Sequence, residues 1–275
     1  MNIYISADME GITGQVTWKA CGAPSAEHYD FAFARRMMTH DVNAAIRGAR
    51  RAGATRIVVK DSHGTSRNLL IDDLEPGVEL ISGEGAGADG MMHGIGDGFD
   101  AALLVGYHGM AGTDRGVMEH TITGGVHRIW LGDREVGEMA LSALACGIYG
   151  VPIVMVSSDD AGCREGSAFF EGCATAVTKV GYGRYMARCL HPTETAPIIE
   201  RAAMEGIDRR ATVGRYLPTS LVGKIEFNRQ EEADFACRMP GASKLDAYTV
   251  RFEGDSLENL HRGMRMLMAL GMNAR

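Results

Sequence analysis

The chain has 275 residues, 45% hydrophobic and 23% charged, with a net charge of -7 and a pI near 5.7. That length buries a large core and allows one large or two modest domains. The acidic balance argues against nonspecific binding to nucleic acid or to an anionic membrane, since both need a basic surface.

Strand-like and helical patterns alternate along the first two thirds. The apolar run Ile3-Tyr4-Ile5 marks a strand over 2–6. Segment 27–52 has small and apolar residues at helical spacing, with Arg47, Arg50 and Arg51 suited to a helix C-terminus and Gly53 to its stop. Further strands are expected over 56–60, 78–82, 101–106, 152–157 and 174–180. Segment 127–136 reads as a hairpin turning at Gly132-Asp133, followed by a helix from Gly137 to Tyr149. Strands separated by helices imply an α/β fold with a mainly parallel sheet and helices on both faces. After His191-Pro192 the character changes. A helix over 193–206, strands over 221–227 and 248–252, and a final helix from Ser256 to Leu270 imply a smaller α+β lobe. The expected division is therefore 1–192 for the α/β domain, in which any site at the strand ends would lie, and 193–275 for the lobe.

Five potential metal ligands fall just after these strands or at the mouth of a helix. They are Asp8, Glu10, His63, His108 and Glu138. In an open parallel sheet the carboxyl ends of the strands form the crevice where ligands bind. Asp8 and Glu10, two apart, share a face of an extended backbone. Such neighbours repel unless a cation or proton intervenes. His63 lies in Asp61-Ser62-His63-Gly64, where Asp61 is placed to orient the imidazole. His108 in Gly106-Tyr107-His108 has the same placement after its strand. Glu138 opens a helix and joins them by its company. Three carboxylates and two imidazoles suit a pair of divalent transition ions. Two such ions, three carboxylates and a bridging hydroxide sum to zero charge, which is easier to hold in a partly dry cleft. His120, in a loop rich in Gly, Thr and Met, is a proton carrier in waiting.

Other features carry less. Gly85-Ala86-Gly87-Ala88-Asp89-Gly90 matches GxGxxG, but it precedes no helix pattern and no acid follows about 20 residues on, so it reads as a flexible loop. Ser157-Ser158-Asp159-Asp160 ends a strand and reads as a helix cap. Glycine is abundant, at 36 residues, which implies many tight turns. Six scattered cysteines without a CxxC pair read as reduced thiols. With no apolar run of membrane-spanning length and no leader pattern, the expected compartment is the cytoplasm.

The motifs, in this order, resemble the DppA-type D-aminopeptidases, a family of zinc metallopeptidases. The S-x-D-x-E-G signature reads Ser6-Ala7-Asp8-Met9-Glu10-Gly11. Asp61-Ser62-His63, Gly106-Tyr107-His108, Gly116-Val117-Met118-Glu119-His120 and Val136-Gly137-Glu138 follow. Residues 151–160, Ile225-Glu226-Phe227 and Met239-Pro240-Gly241 extend the likeness over nearly the whole chain. The resemblance implies two zinc ions per subunit held by Asp8, Glu10, His63, His108 and Glu138, with Asp8 as the bridge. It also implies a Rossmann-like α/β domain with a smaller lobe, a catalytic His120 and a ring-shaped homo-decamer enclosing the sites.

The expected activity is a hydrolase's: removal of the N-terminal residue of short peptides, plausibly D-amino-acid peptides, by a metal-bridging hydroxide. The rivals are another two-metal hydrolase, acting on amides or phosphoesters, and a non-catalytic metal-dependent peptide-binding protein. No nucleic-acid or membrane partner is expected.

Overall fold

A computed structural model describes residues 1–21, 30–85 and 89–274. Twelve strands and six helices are named among them. Strands β1 (Asn2–Ala7), β2 (Arg56–Asp61), β3 (Glu79–Ile81), β4 (Ala101–Val105), β7 (Ile153–Asp159), β8 (Ala174–Gly183) and β9 (Met186–Cys189) form one sheet in the order β3-β2-β1-β4-β7-β8-β9. All its pairs are parallel except β8 with β9. Every residue of β4 and β7 is buried, as expected of central strands covered on both faces.

The helices are α1 (Phe31–Arg51), α2 (Glu138–Ile148), α3 (Asp160–Phe169), α4 (Pro192–Asp208), α5 (Gln230–Ala236) and α6 (Leu257–Met272). Helix α1 packs on α4, and α4 on β7 and β8, while α3 also covers β7 and β8. The start of the expected 27–52 helix falls outside the described residues, as does the middle of the Gly85–Gly90 loop. Gly53 ends α1 with φ +87, the left-handed conformation that suits glycine.

A second, antiparallel sheet has the order β11-β12-β10-β5-β6, from β5 (Val126–Leu131), β6 (Arg134–Val136), β10 (Val222–Phe227), β11 (Ala242–Lys244) and β12 (Thr249–Glu253). The hairpin β5–β6 turns at Gly132, φ +63, as its sequence implies. The parallel sheet lies wholly before residue 192, but the second sheet straddles it. Strand β5 precedes it yet pairs with β10 and carries β6 at the sheet's edge, and α4 follows it yet packs on the parallel sheet. The second sheet is therefore not confined to 193–275.

Strand β1 lies between β2 and β4, with Ala7 in register with both Asp61 and Val105. The three strand ends thus finish level. Beyond them two turns clasp each other: Asp8 N donates to Val105 O and Gly11 N to Gly106 O, both at 2.8 Å. The clasp demands glycine. A Cβ on Gly11 would meet Tyr107 O at 1.8 Å, and one on Gly106, φ +73, would meet Asp8 O at 2.4 Å. Gly106→Ala should cost about 3 kcal/mol or more, through strain and backbone overlap together. Chemical denaturation checks this, and a loss under about 1 kcal/mol would contradict the clasp.

Candidate metal centre

The turn after β1 brings Asp8 and Glu10 to one point. The strand stops at Ala7, so a turn and not an extended backbone makes the two carboxylates converge. Buried Lys179, on β8, donates to Glu10 O and Ile12 O, each at 2.7 Å, and Thr178 donates to Gly11 O at 2.8 Å. The turn is thereby tied down from the far side of the sheet.

His63 comes from the loop after β2. Its Nε2 lies 3.2 Å from Glu10 Oε1. Asp61 does not touch the ring, contrary to expectation. Its carboxylate accepts from Asn68 N, Asn68 Nδ2 and Leu69 N, and Asn68 Nδ2 also donates to His63 O. Asp61 therefore shapes the loop that carries His63 rather than the imidazole itself.

His108 follows β4. Its Nδ1 faces Gly109 O at 3.0 Å, and a carbonyl can only accept, so Nδ1 carries the hydrogen. Nε2 is left toward Glu138 Oε1 at 3.3 Å and Asp8 Oδ2 at 3.5 Å. Glu138 arrives from the first turn of α2, directly after the β5–β6 hairpin. Its Oε1 also accepts from Ile122 N at 2.6 Å.

His120 stands in the loop between β4 and β5. Its Nδ1 donates to Met118 O at 3.0 Å, and Nε2 lies 3.6 Å from Glu138 Oε1. The ring stacks on His108 with centroids 4.2 Å apart and meets the edge of Trp18 at 5.0 Å. Hydrogen bond and stacking together fix its orientation.

The structure thus brings all six expected residues together. Three overlapping sets have ligand atoms within 4.8 Å of one another: Glu10, Cys21 and His63; His108, His120 and Glu138; Asp8, Glu10 and His108. Sequence reading missed Cys21, which carries no spacing signal. It also missed Lys179, whose role lies in the backbone atoms it holds.

Electrostatics show what the cluster lacks. Burial, then Glu10 and Glu138, push the Asp8 carboxyl well above its usual range. Burial alone would lower the imidazoles, yet Glu10 draws His63 well above its ordinary value and Glu138 does the same for His108. Burial and the neighbouring His108 lower His120. Asp8 Oδ2, Glu10 Oε2 and His108 Nε2 are buried without a hydrogen-bond partner among the described residues. Buried acceptors in that state are costly unless a cation meets them. Carboxylate oxygens and imidazole nitrogens at this spacing fit divalent zinc. The cluster opens on a cavity of about 970 Å³, lined also by Trp18, Lys60, Arg184 and Arg265.

Asp159 caps α3 by accepting from Gly162 N, as expected of the 157–160 segment. Its other oxygen accepts from Val117 N at 2.6 Å and so steadies the His120 loop.

An α/β protein with carboxylates and imidazoles gathered at the mouth of its parallel sheet has the build of a metallohydrolase. Residues 1–266 match the D-aminopeptidase family of peptidases. A D-aminopeptidase of Bacillus subtilis (strain 168) is 33% identical over 276 residues, covering 99% of this chain and 98% of the relative. The solved structure of the Zn-dependent D-aminopeptidase DppA from Bacillus subtilis, described as a self-compartmentalizing protease, superposes with a TM-score of 0.93 at 31% identity. That match covers 99% of this chain and 98% of the other. The chain belongs to the D-aminopeptidase family.

Glu165, on α3, supports the loop after His108 by accepting from Met110 N at 2.7 Å. Burial pushes its carboxyl from 4.5 up to about 7. The folded protein therefore holds this proton more tightly than the unfolded chain does. Its contribution to stability falls as pH rises from about 4.5 to about 7 and stays low above that. Glu165→Gln should remove this slope and be more stable than wild type by about 1–3 kcal/mol at pH 8. Urea denaturation of metal-free protein at pH 5 and pH 8 checks it; parallel pH dependences in the two proteins would contradict it.

Proposed function

We propose that this protein is a zinc-dependent aminopeptidase that releases the N-terminal residue of short peptides, with D-residues preferred. The observation that carries the reading is the convergence of Asp8, Glu10, His63, His108 and Glu138 on one buried point with acceptor atoms left over. These five would hold two zinc ions. Asp8, within reach of both Glu10 and His108, would be the carboxylate shared between the two ions. When bound, zinc supplies Lewis acidity, which activates water and polarises a carbonyl.

The chain's own residues do the rest. His120 Nε2 faces the cluster while Met118 O keeps the proton on Nδ1. Its lowered pKa leaves that nitrogen free to accept a proton near neutral pH and return it to the departing amine. Trp18 and His108 hold the ring against rotation. Lys60, Arg184 and Arg265 place positive charge around the cavity. They suit the terminal carboxylate of a short peptide, whose free amine would lie at the acidic end. The cavity is of ordinary size for a small ligand.

The neighbour's description as a self-compartmentalizing protease supports a homo-oligomer, and we assign this chain a ring-shaped decamer on the motif resemblance. The described cysteines are all free, which suits the cytoplasm. Among the described residues no helix is long and apolar enough to cross a membrane.

Turnover of D-alanyl and L-alanyl dipeptides, with and without added zinc, tests the activity. Chelation should abolish it and zinc restore it, with the D-series faster. Hydrolysis that survives complete metal removal, or none with either series, would contradict the reading. Asp8→Ala should lose more bound zinc than any other single ligand change, as measured by elemental analysis, because a bridge serves both ions. A full complement of zinc in that variant would remove Asp8 from the bridge. His120→Ala should lose about 10²- to 10⁴-fold in kcat with its zinc intact. Near-normal turnover in that variant would end the proton-transfer role.

A further inference from the structure

The segment beyond the acidic turn carries a thiol into the centre. Thr17 caps a single 3-10 turn, Trp18–Ala20, by accepting from Lys19 N. Cys21 closes that turn through its N–H to Trp18 O. The result places Cys21, 6% exposed, beside the metal ligands. Its Sγ, a Glu10 carboxylate oxygen and a His63 ring nitrogen all lie within 4.8 Å of one another.

Two further observations point to a ligand here. Glu10 is 1% exposed, and its Oε2 has no hydrogen-bond partner among the described residues. Gln15 Nε2 donates to Cys21 Sγ at 3.0 Å and to Thr17 O at 3.2 Å, so the amide is anchored and aimed at the sulfur. An N–H held against a ligand atom is how proteins orient donors around a metal. Among the described residues, no other cysteine shares a cluster of this kind.

We propose that Cys21 is a sixth protein ligand of the zinc centre, binding through Sγ the ion that Glu10 and His63 hold. The proposal rests on the two-zinc reading above. Zinc accepts thiolate alongside imidazole and carboxylate. As the sulfur–zinc bond forms, the thiol proton leaves to solvent. Soft sulfur at this position favours zinc over magnesium or manganese, which prefer oxygen. The two ions are then held unequally, and the one at Cys21 is the more tightly kept.

Cobalt(II) in place of zinc makes the ligand visible. Wild-type protein loaded with cobalt should show a thiolate-to-cobalt charge-transfer band in the near ultraviolet, which carboxylate and imidazole do not give. Cys21→Ser should lose that band while keeping cobalt's visible d–d bands. Cys189→Ser, which removes the exposed thiol, should keep both. In zinc-loaded protein, Cys21→Ser should release one of its two ions at about 10-fold lower chelator concentration. Wild-type protein with d–d bands and no charge-transfer band overturns the proposal, and this outcome needs no variant to fold. A band that persists unchanged in folded Cys21→Ser overturns it too. Protein that takes up no cobalt at all contradicts the two-metal reading itself.

Discussion

Three carboxylates, Asp8, Glu10 and Glu138, are buried in one cluster at the end of a parallel sheet, and the repulsion of Glu10 and Glu138 on Asp8 is the constraint on which this structure turns. Like charges taken out of water destabilise the fold unless something positive sits among them. The upward push on Asp8, and the way His63 and His108 are drawn toward protonation, show the cluster seeking positive charge from whatever is at hand. Divalent cations answer that demand more fully than protons do. Hydrolytic function follows from the same shortage, because ions that neutralise the cluster also polarise whatever enters the adjoining cavity.

The fold positions this cluster through topology. Placing β1 between β2 and β4 sets its acids between an imidazole on either side. The glycine clasp beyond the strands and the Lys179 anchor hold those acids where solvent would otherwise let them separate. The second sheet contributes by delivering α2 with Glu138 at its N-terminus. His120 arrives on a loop, but one steadied by Asp159 and by ring stacking, so an irregular segment presents a fixed side chain.

Much of this was legible in the sequence. Apolar runs of strand length marked β1, β2 and β4, and in a parallel sheet the residue just past each run faces the ligand crevice. Asp8, His63 and His108 are legible that way, and Glu138, at a helix start where a glutamate is ordinary, only by the company of the others. Other features left no such trace. Helix α3 was marked in the sequence only by its cap, because Gly162 and Gly166 weaken its helical pattern. They are there because a Cβ would strike Ser158 Oγ at 2.1 Å or Val156 Cγ2 at 2.9 Å, so packing on β7 outranks propensity. The short β9, β11 and α5 lack the length for periodicity to register. Asp61 seemed the partner of His63 by adjacency, but the strand ends at Asp61 and the chain turns before the histidine, sending the two side chains to different tasks. Cys21 has no neighbour in sequence that hints at its company; only the turn from Thr17 to Cys21 brings it there.

X-ray diffraction from crystals grown with zinc, recorded on both sides of the zinc absorption edge, tests the central claim most directly. Two anomalous peaks within the cluster are predicted, one against Glu10 and His63 and the other against His108 and Glu138, with Asp8 reaching both. No peak in the cluster, or zinc bound only elsewhere on the molecule, would contradict the account.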